Sequence, residues 1–353
     1  MNKSVSATRQ RGVTLIELMV TLVITLFLVT AAAYVYLGTR ETQRAIERNS
    51  TNRETGSFAL EMIGRDVMNA GFFPKIEVVA QTAGSAYHNY SASAYPPNNW
   101  TPTSAVYLQG IFGCEGGQFN PATGACPDPV ATDPDSIVIN YFTSDLTAMR
   151  SQVGTRFDCL GANVDNDAAN NGGRAFNVGS PPTTSDDNLP PGQPLFVSNR
   201  YSLVGNATTT IDQQAVTTKS LVCSGNGNGN AYQPLVLGLE DLQFSYAVYS
   251  STDPNATDAK LPPRFYTAQD VSNFPPIIIN GITYASWSRV VAVRVCVLTK
   301  SLGAAPRITD QAGAVRSYIN CKDESKPQAA GDTALYQRFV QVFGVRNNLN
   351  AAY

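Results

Sequence analysis

The sequence predicts an α+β chain in which one long N-terminal helix packs on an antiparallel β-sheet head whose long loops are braced by disulfides. Three observations predict it. A 25-residue apolar run, Val13–Leu37, carries a single charge, Glu17. Apolar residues then recur at three- and four-residue spacing as far as Ala70. Beyond them, short runs of alternating apolar and polar residues concentrate in the C-terminal third, and six cysteines are spread between 114 and 321.

The N-terminal segment, residues 1–12, holds Lys3, Arg9 and Arg11 and no acid, so it is a basic leader of +3. The run that follows, residues 13–37, exceeds the ~20 apolar residues that a helix needs to cross a bilayer. The charge of the leader predicts a cytoplasmic N-terminus, although Arg40, Arg44 and Arg48 beyond the span, interleaved with Glu41 and Glu47, reduce the contrast. A secretory signal would have an apolar region of about 7–15 residues with small residues after it. Here the run is longer and the small residue, Gly12, precedes it. A plain signal anchor leaves Glu17 unexplained, because an ionised carboxylate inside a span costs on the order of 2.5–3.5 kcal/mol unless it is paired.

Residues 38–71 read as an amphipathic stem. Phe58, Met62, Ile63, Val67 and Ala70 form an apolar stripe, with Glu61, Arg65 and Asp66 between them. Gly38, Gly56 and Gly64 are expected bends, Gly71 is a suitable C-terminal cap, and Pro74 cannot continue the helix. Residues 72–353 form the head. Its middle is rich in Asn, Gly, Ser, Thr and Pro and reads as long loops. The strand candidates are Ile137–Phe142, the alternation Leu242, Phe244, Tyr246, Val248, the alternation Val291, Val293, Val295, Val297, and Phe339–Val345. The sheet is therefore expected mainly from the C-terminal third.

Five stretches carry a family resemblance. Arg11-Gly12-Val13-Thr14-Leu15-Ile16-Glu17 resembles the processing site of type IV pilins and type II secretion pseudopilins. The resemblance implies the type IV pilin fold, cleavage by a prepilin peptidase after Gly12, methylation of the new amine at Val13, and an assembly role for Glu17 as fifth residue of the mature chain. Members usually begin with Phe or Met, so Val13 is a departure. Without its leader the chain has 22 basic and 27 acidic residues, or −5. In a staggered bundle Glu17 can face the amine of a neighbouring subunit, which turns two costly buried groups into a pair and sets the axial register. Gly64-Arg65-Asp66-Val67-Met68-Asn69-Ala70-Gly71-Phe72, Leu239–Tyr246, Arg289–Val295 and Phe339–Asn347 resemble PilW-type minor pilins. That resemblance implies a place in the low-abundance complex that primes pilus assembly and sits at the fibre tip. Its implied partners are other minor pilins, the major pilin, a tip adhesin, the prepilin peptidase and the inner-membrane assembly machinery. The implied location is the inner membrane, single-pass with a periplasmic head, then the extracellular fibre.

The chemistry that the residues exclude agrees with a structural role. One histidine, His88, makes Ser-His-Asp catalysis and multi-histidine zinc sites poor readings, and no convergent acid, base and nucleophile set is visible, so no enzyme and no obligatory cofactor is expected. A net charge of −2 gives no basic excess and hence no dedicated nucleic-acid site. Cys114, Cys126, Cys159, Cys223, Cys296 and Cys321 show no CxxC spacing. In an exported head they are disulfide candidates, with sequential pairing the simplest of the fifteen connectivities. Asp165, Asp167 and Asn170 space oxygen ligands in a Gly-rich run, but Phe176 stands where an EF-hand needs Glu. The run reads as a solvated loop and a weak calcium candidate, and Asp253, Asn255 and Asp258 are weaker still. Tyr87, Tyr90, Tyr95 and Trp100 around His88 could stack on a ligand, yet lack neighbouring cations. The competing readings are a minor pseudopilin of a type II secretion system, or a filament-displayed receptor for glycan or DNA.

Overall fold

The computed structural model describes residues 12, 14–72, 75–78, 86–89, 109–120, 123–142, 157–162, 196–211, 214–225, 231–248, 264–279, 282–301, 316–329, 332 and 334–347. The chain divides into two compact units, Met1–Ser50 and Thr51–Tyr353.

Helix α1 spans Leu15–Asn69. In the first unit its apolar side chains, from Leu15 through Phe27 to Leu37, are exposed, and the helix is long and apolar enough to cross a membrane. Threonine is tolerated there because each hydroxyl turns back onto its own helix. Thr21 donates to the Leu18 carbonyl at 2.9 Å, Thr25 to Thr21 at 2.6 Å and Thr39 to Val35 at 2.9 Å, so no hydroxyl is left for lipid to solvate.

In the second unit the end of α1 lies against a sheet. The strands are, in chain order, β1 (Lys75–Val78), β2 (Ala86–Asn89), β3 (Ile111–Cys114), β4 (Ser136–Phe142), β5 (Phe196–Ile211), β6 (Gln214–Gly225), β7 (Gln233–Val248), β8 (Arg264–Tyr266), β9 (Ile277–Ile279), β10 (Ile282–Tyr284), β11 (Val290–Lys300), β12 (Ser317–Ile319), β13 (Ser325–Pro327) and β14 (Tyr336–Gly344); a short helix, α2, occupies Ala268–Asn273. Among the described residues the main sheet is eight-stranded and antiparallel. Its order is β14-β11-β7-β6-β5-β4-β3, with β8 on the end of β7. The period-2 faces pack inward. Leu242, Phe244, Tyr246 and Val248 on β7 and Val293, Val295 and Val297 on β11 join Leu60, Ile63 and Val67 of α1 in one core.

Three expectations are corrected. First, the sheet is not built mainly from the C-terminal third. Strands β3 to β6 come from residues 111–225, where only Ile137–Phe142, in β4, is apolar enough to read as a strand. Its ladder hydrogen bonds come from the backbone, so Ser-, Thr- and Asn-rich segments pair where neighbouring strands supply partners. Second, the inward stripe of α1 is rotated. Phe58 is 49% exposed, whereas Asp66 is only 3% exposed and Asn52, Ala59, Leu60, Ile63, Val67 and Ala70 are buried. Third, Gly56 and Gly64, expected as bends, serve as notches for two rings of the sheet. A Cβ on Gly56 would lie 2.8 Å from Phe339 Cγ and one on Gly64 2.6 Å from Phe343 Cδ1, with other ring atoms closer still. Eight helical residues rise about 12 Å and four strand residues about 13 Å, so the two rings of β14 meet the two notches in step.

The sheet curls around the helix. Its β14 side touches Gly56 and Gly64, while its β4 side meets the helix end, where the Gly71 N–H donates to the Asn140 carbonyl at 2.9 Å. Gly71, with φ +70°, terminates the helix as its residue type predicts. Three disulfides brace the head, Cys114–Cys126, Cys159–Cys223 and Cys296–Cys321, which is the sequential pairing.

Candidate assembly site

The two units each contribute one arrangement, and each is taken by itself. In the first, Gly12 is exposed with open space about its Cα. Thr14 stands immediately before the helix. Its N–H donates to Glu17 Oε2 at 3.2 Å, its hydroxyl donates to the same oxygen at 3.4 Å, and the Glu17 N–H donates back to Thr14 Oγ1 at 3.3 Å. This is a capping box, in which two of the free N–H groups at a helix start are satisfied reciprocally. The Thr-x-x-Glu spacing that makes it is legible in the sequence, where Glu17 otherwise stands out as the one charge of the span and an implied assembly residue. Leader residues 1–11 and Val13 lie outside the described residues.

In the second unit, α1 is held on the sheet by polar contacts at both ends and a buried acid between. Asn52 Nδ2 donates to the Leu335 carbonyl at 2.9 Å, and Asn347 Nδ2 donates to the Ala70 carbonyl at 2.9 Å. The second bond caps a carbonyl that the helix end leaves without an intrahelical partner. Asp66 Oδ2 accepts from the Tyr201 hydroxyl at 2.6 Å and from Asn199 Nδ2 at 2.7 Å, and Oδ1 accepts from the Tyr141 hydroxyl at 3.4 Å. Burial pushes the Asp66 carboxyl above the usual carboxylate range, while its three donors and the Arg65 charge pull the other way. Sequence reasoning missed this residue. The available signal was its place three residues after Ile63, on the arc that continues through Val67 to Ala70.

A second buried carboxylate, Asp135, ties the loop after β3 to β7. Its Oδ1 accepts from the Gly116 N–H at 2.8 Å and its Oδ2 from the Phe244 N–H at 2.9 Å. Burial raises its pKa to about 6 against those two bonds. Nothing in these arrangements places a nucleophile beside a base. Among the described residues no group of three or more His, Cys, Asp or Glu side chains could hold a metal ion. The calcium candidates Asp165, Asp167 and Asn170, with Asp253, Asn255 and Asp258, lie outside the described residues, as do Tyr90, Tyr95, Trp100 and the side chain of His88.

The regions that build these arrangements have known counterparts. Residues 208–347 match the family model of the type IV pilus-assembly protein W, and residues 7–33 match the prokaryotic N-terminal methylation motif. Residues 208–347 are thus similar to a PilW-type pilus-assembly protein, and residues 7–33 carry a pilin-type methylation motif. Among solved structures it is similar to a type IV-like pilin from Thermus thermophilus, at 12% identity over 62% of this chain and 81% of that chain, with a TM-score of 0.26. No curated protein matches it. The first match contains β7, β11 and β14, the last of which carries Phe339 and Phe343 to the notches, and also Asn347. The second contains Gly12, Thr14 and Glu17. Asp66 and its partners Tyr141, Asn199 and Tyr201 fall outside both matched stretches.

Proposed function

We propose that the chain is a minor pilin of a type IV pilus, part of the low-abundance complex that primes assembly and sits at the fibre tip. The observation that carries this reading is the match of residues 208–347 to a pilus-assembly protein, on a chain whose N-terminus combines a methylation motif with an exposed apolar helix. The first twelve residues serve as leader, removed after Gly12 by a prepilin peptidase, and Val13 carries the methylated amine. Residues 13–37 hold the protein in the inner membrane with the head in the periplasm before it enters the fibre.

Glu17 then has two uses. In the free chain it caps its own helix through Thr14. In the filament its carboxylate faces the cationic amine of a neighbouring subunit in apolar surroundings, where an unpaired charge is too costly to leave. Other minor pilins, the major pilin, a tip adhesin and the inner-membrane machinery are its partners. The role is structural, and no reaction is assigned to it.

Deletion of the protein tests the priming role. Surface pili counted by electron microscopy are expected to fall sharply; a normal number without the protein overturns the reading. Glu17→Ala tests the pairing, with loss of incorporation expected and wild-type incorporation refuting it. Subunits recovered with the tagged protein are expected to be pilus components, and recovery of type II secretion components instead would reassign it.

A further inference from the structure

We propose that Cys114–Cys126 is a redox-active disulfide. A reducing dithiol enters at Cys126 Sγ and frees the outer segment of the loop after β3, while the head stays folded with its other two disulfides closed. The inference is independent of the assembly reading and rests on the geometry of the head alone.

Access separates the three bonds. A thiolate displaces one sulfur of a disulfide in line with the S–S bond, so the attacked sulfur must be open on the side away from its partner. Each bond joins a buried cysteine to one nearer the surface. Cys114, Cys223 and Cys296 are 1%, 0% and 5% exposed. Their partners differ. Cys159 and Cys321 are half-buried, whereas Cys126 is exposed. Cys159 also packs against the main core that contains Cys223. Cys126 stands instead in a run, residues 125–133, in which every residue is exposed and none belongs to a helix or strand. A thiolate reaches Cys126 from solvent, and the sulfur displaced is the buried one. Exposed disulfides of this kind are the ones that exchange with thiols most readily.

Loop length points the same way. The sequence separation is 12 for Cys114–Cys126, against 25 for Cys296–Cys321 and 64 for Cys159–Cys223. A short loop restricts the unfolded chain least, so the fold loses least stability when this bond opens.

The first half of the loop has its own seat on the sheet. Asp135 Oδ1 accepts from the Gly116 N–H. Ser136 Oγ accepts from the Phe119 N–H at 2.8 Å and donates to the Gly117 carbonyl at 2.8 Å, and the Tyr232 hydroxyl donates to the Phe119 carbonyl at 2.8 Å. Phe119 is fully buried against Val138 and Cys114. None of these contacts needs the S–S bond. The outer segment is tied more lightly, by the bridge of Ala125 to Asn120, by the Val130 N–H on the Gly116 carbonyl at 3.0 Å and by Lys322 Nζ on the Ala131 carbonyl at 2.6 Å. Opening the disulfide therefore loosens the segment around Cys126 and leaves residues 116–119 in place.

The exchange runs in two displacements. A thiolate of the dithiol bonds to Cys126 Sγ, and the S–S bond breaks with its electron pair going to Cys114 Sγ. The second sulfur of the dithiol then displaces Cys126 Sγ. The dithiol loses two electrons and becomes a disulfide, and the two protons it gives up end on Cys114 and Cys126.

The test uses the full-length protein in detergent, without denaturant. Dithiothreitol is added, samples are alkylated at intervals, and the modified cysteines are identified by mass spectrometry. Cys114 and Cys126 are expected to react at least about tenfold faster than the other four, in a head that still shows a cooperative melting transition. Brief exposure to glutathione, a monothiol, followed by acid quenching is expected to leave its adduct on Cys126 and not on Cys114. Cys114→Ala with Cys126→Ala is expected to remove the fast phase and to leave the other two rates within about twofold of wild type. Equal rates at all three pairs, an earlier reaction at another pair, no reduction until the head unfolds, or an adduct on Cys114 would overturn the proposal.

Discussion

Adding one methyl group at Gly64 tests how the helix is seated. The Cβ of Gly64→Ala would lie closer than 3.0 Å to several atoms of the Phe343 ring, so the ring must shift by about an ångström. Phe343 is only 8% exposed and packed in the main core, which leaves it little room to yield. Overpacking of this kind costs about 1–3 kcal/mol. Alanine returns about 1 kcal/mol through its higher helix propensity. The net expectation is a head less stable by about 0–2 kcal/mol, or a melting temperature lower by up to roughly 4 °C. Gly56→Ala provides the contrast. Its ring neighbour, Phe339, is half-buried and can turn outward, so propensity and crowding roughly cancel. Thermal unfolding of the full chain in detergent, with disulfides intact, measures both. Phe343→Leu in the Gly64→Ala background should recover about 1 kcal/mol relative to the sum of the single changes. A Gly64→Ala protein stabilised by the full helix-propensity gain, with no coupling to Phe343, would show that the notch does not seat the ring.

Asp66→Ala is expected to destabilise the head by about 2–4 kcal/mol, because it strands the buried donors of Tyr201 and Asn199. Asp66→Asn keeps an acceptor and should cost less, as denaturant midpoints of the two variants will tell. Since the folded Asp66 carboxyl binds its proton more tightly than the unfolded one, wild type should lose stability relative to Asp66→Asn as pH rises above the ordinary carboxylate value, and the opposite trend would refute the assignment. Asp135 has the same sign: with a folded pKa of about 6 against 3.8, its contribution is present below pH 3.8 and lost as pH rises through 6, by up to about 3 kcal/mol. Melting temperatures of wild type and Asp135→Ala across that range measure it, although the variant also leaves the Gly116 and Phe244 N–H groups unsatisfied and should be less stable at every pH. Asn347→Ala removes the donor partner of the Ala70 carbonyl and should cost about 0.5–2 kcal/mol, with faster hydrogen exchange confined to the last turn of α1.

Legibility differed by element. The apolar span, Glu17, the stop at Gly71 and strands β7, β11 and β14 could be read because each carries a short-period pattern or a residue with one conformational use. Strands β5 and β6 could not, because their residues are polar and their partners lie in other parts of the chain. Within the stem, periodicity found the helix but misjudged its orientation by the arc between Phe58 and Asp66. A helical stripe defined by apolar residues alone assigns an acid to solvent, and only the hydroxyls of Tyr141 and Tyr201 and the Asn199 amide, arriving from β4 and β5, make its burial affordable.

The sequence by itself determined what depends on neighbours along the chain: a helix with an apolar first half, a capped start at Thr14 and Glu17, a left-handed stop at Gly71, and alternating strands. Tertiary structure alone decided which groups meet. It turned Gly56 and Gly64 from flexible residues into seats for Phe339 and Phe343, placed Asp66 among three donors, and left β14 uncovered at the edge of the sheet. The physical reason is that local conformation is set within a few residues, while packing and buried hydrogen bonds join side chains far apart in sequence, from Asn52 with Leu335 to Ala70 with Asn347.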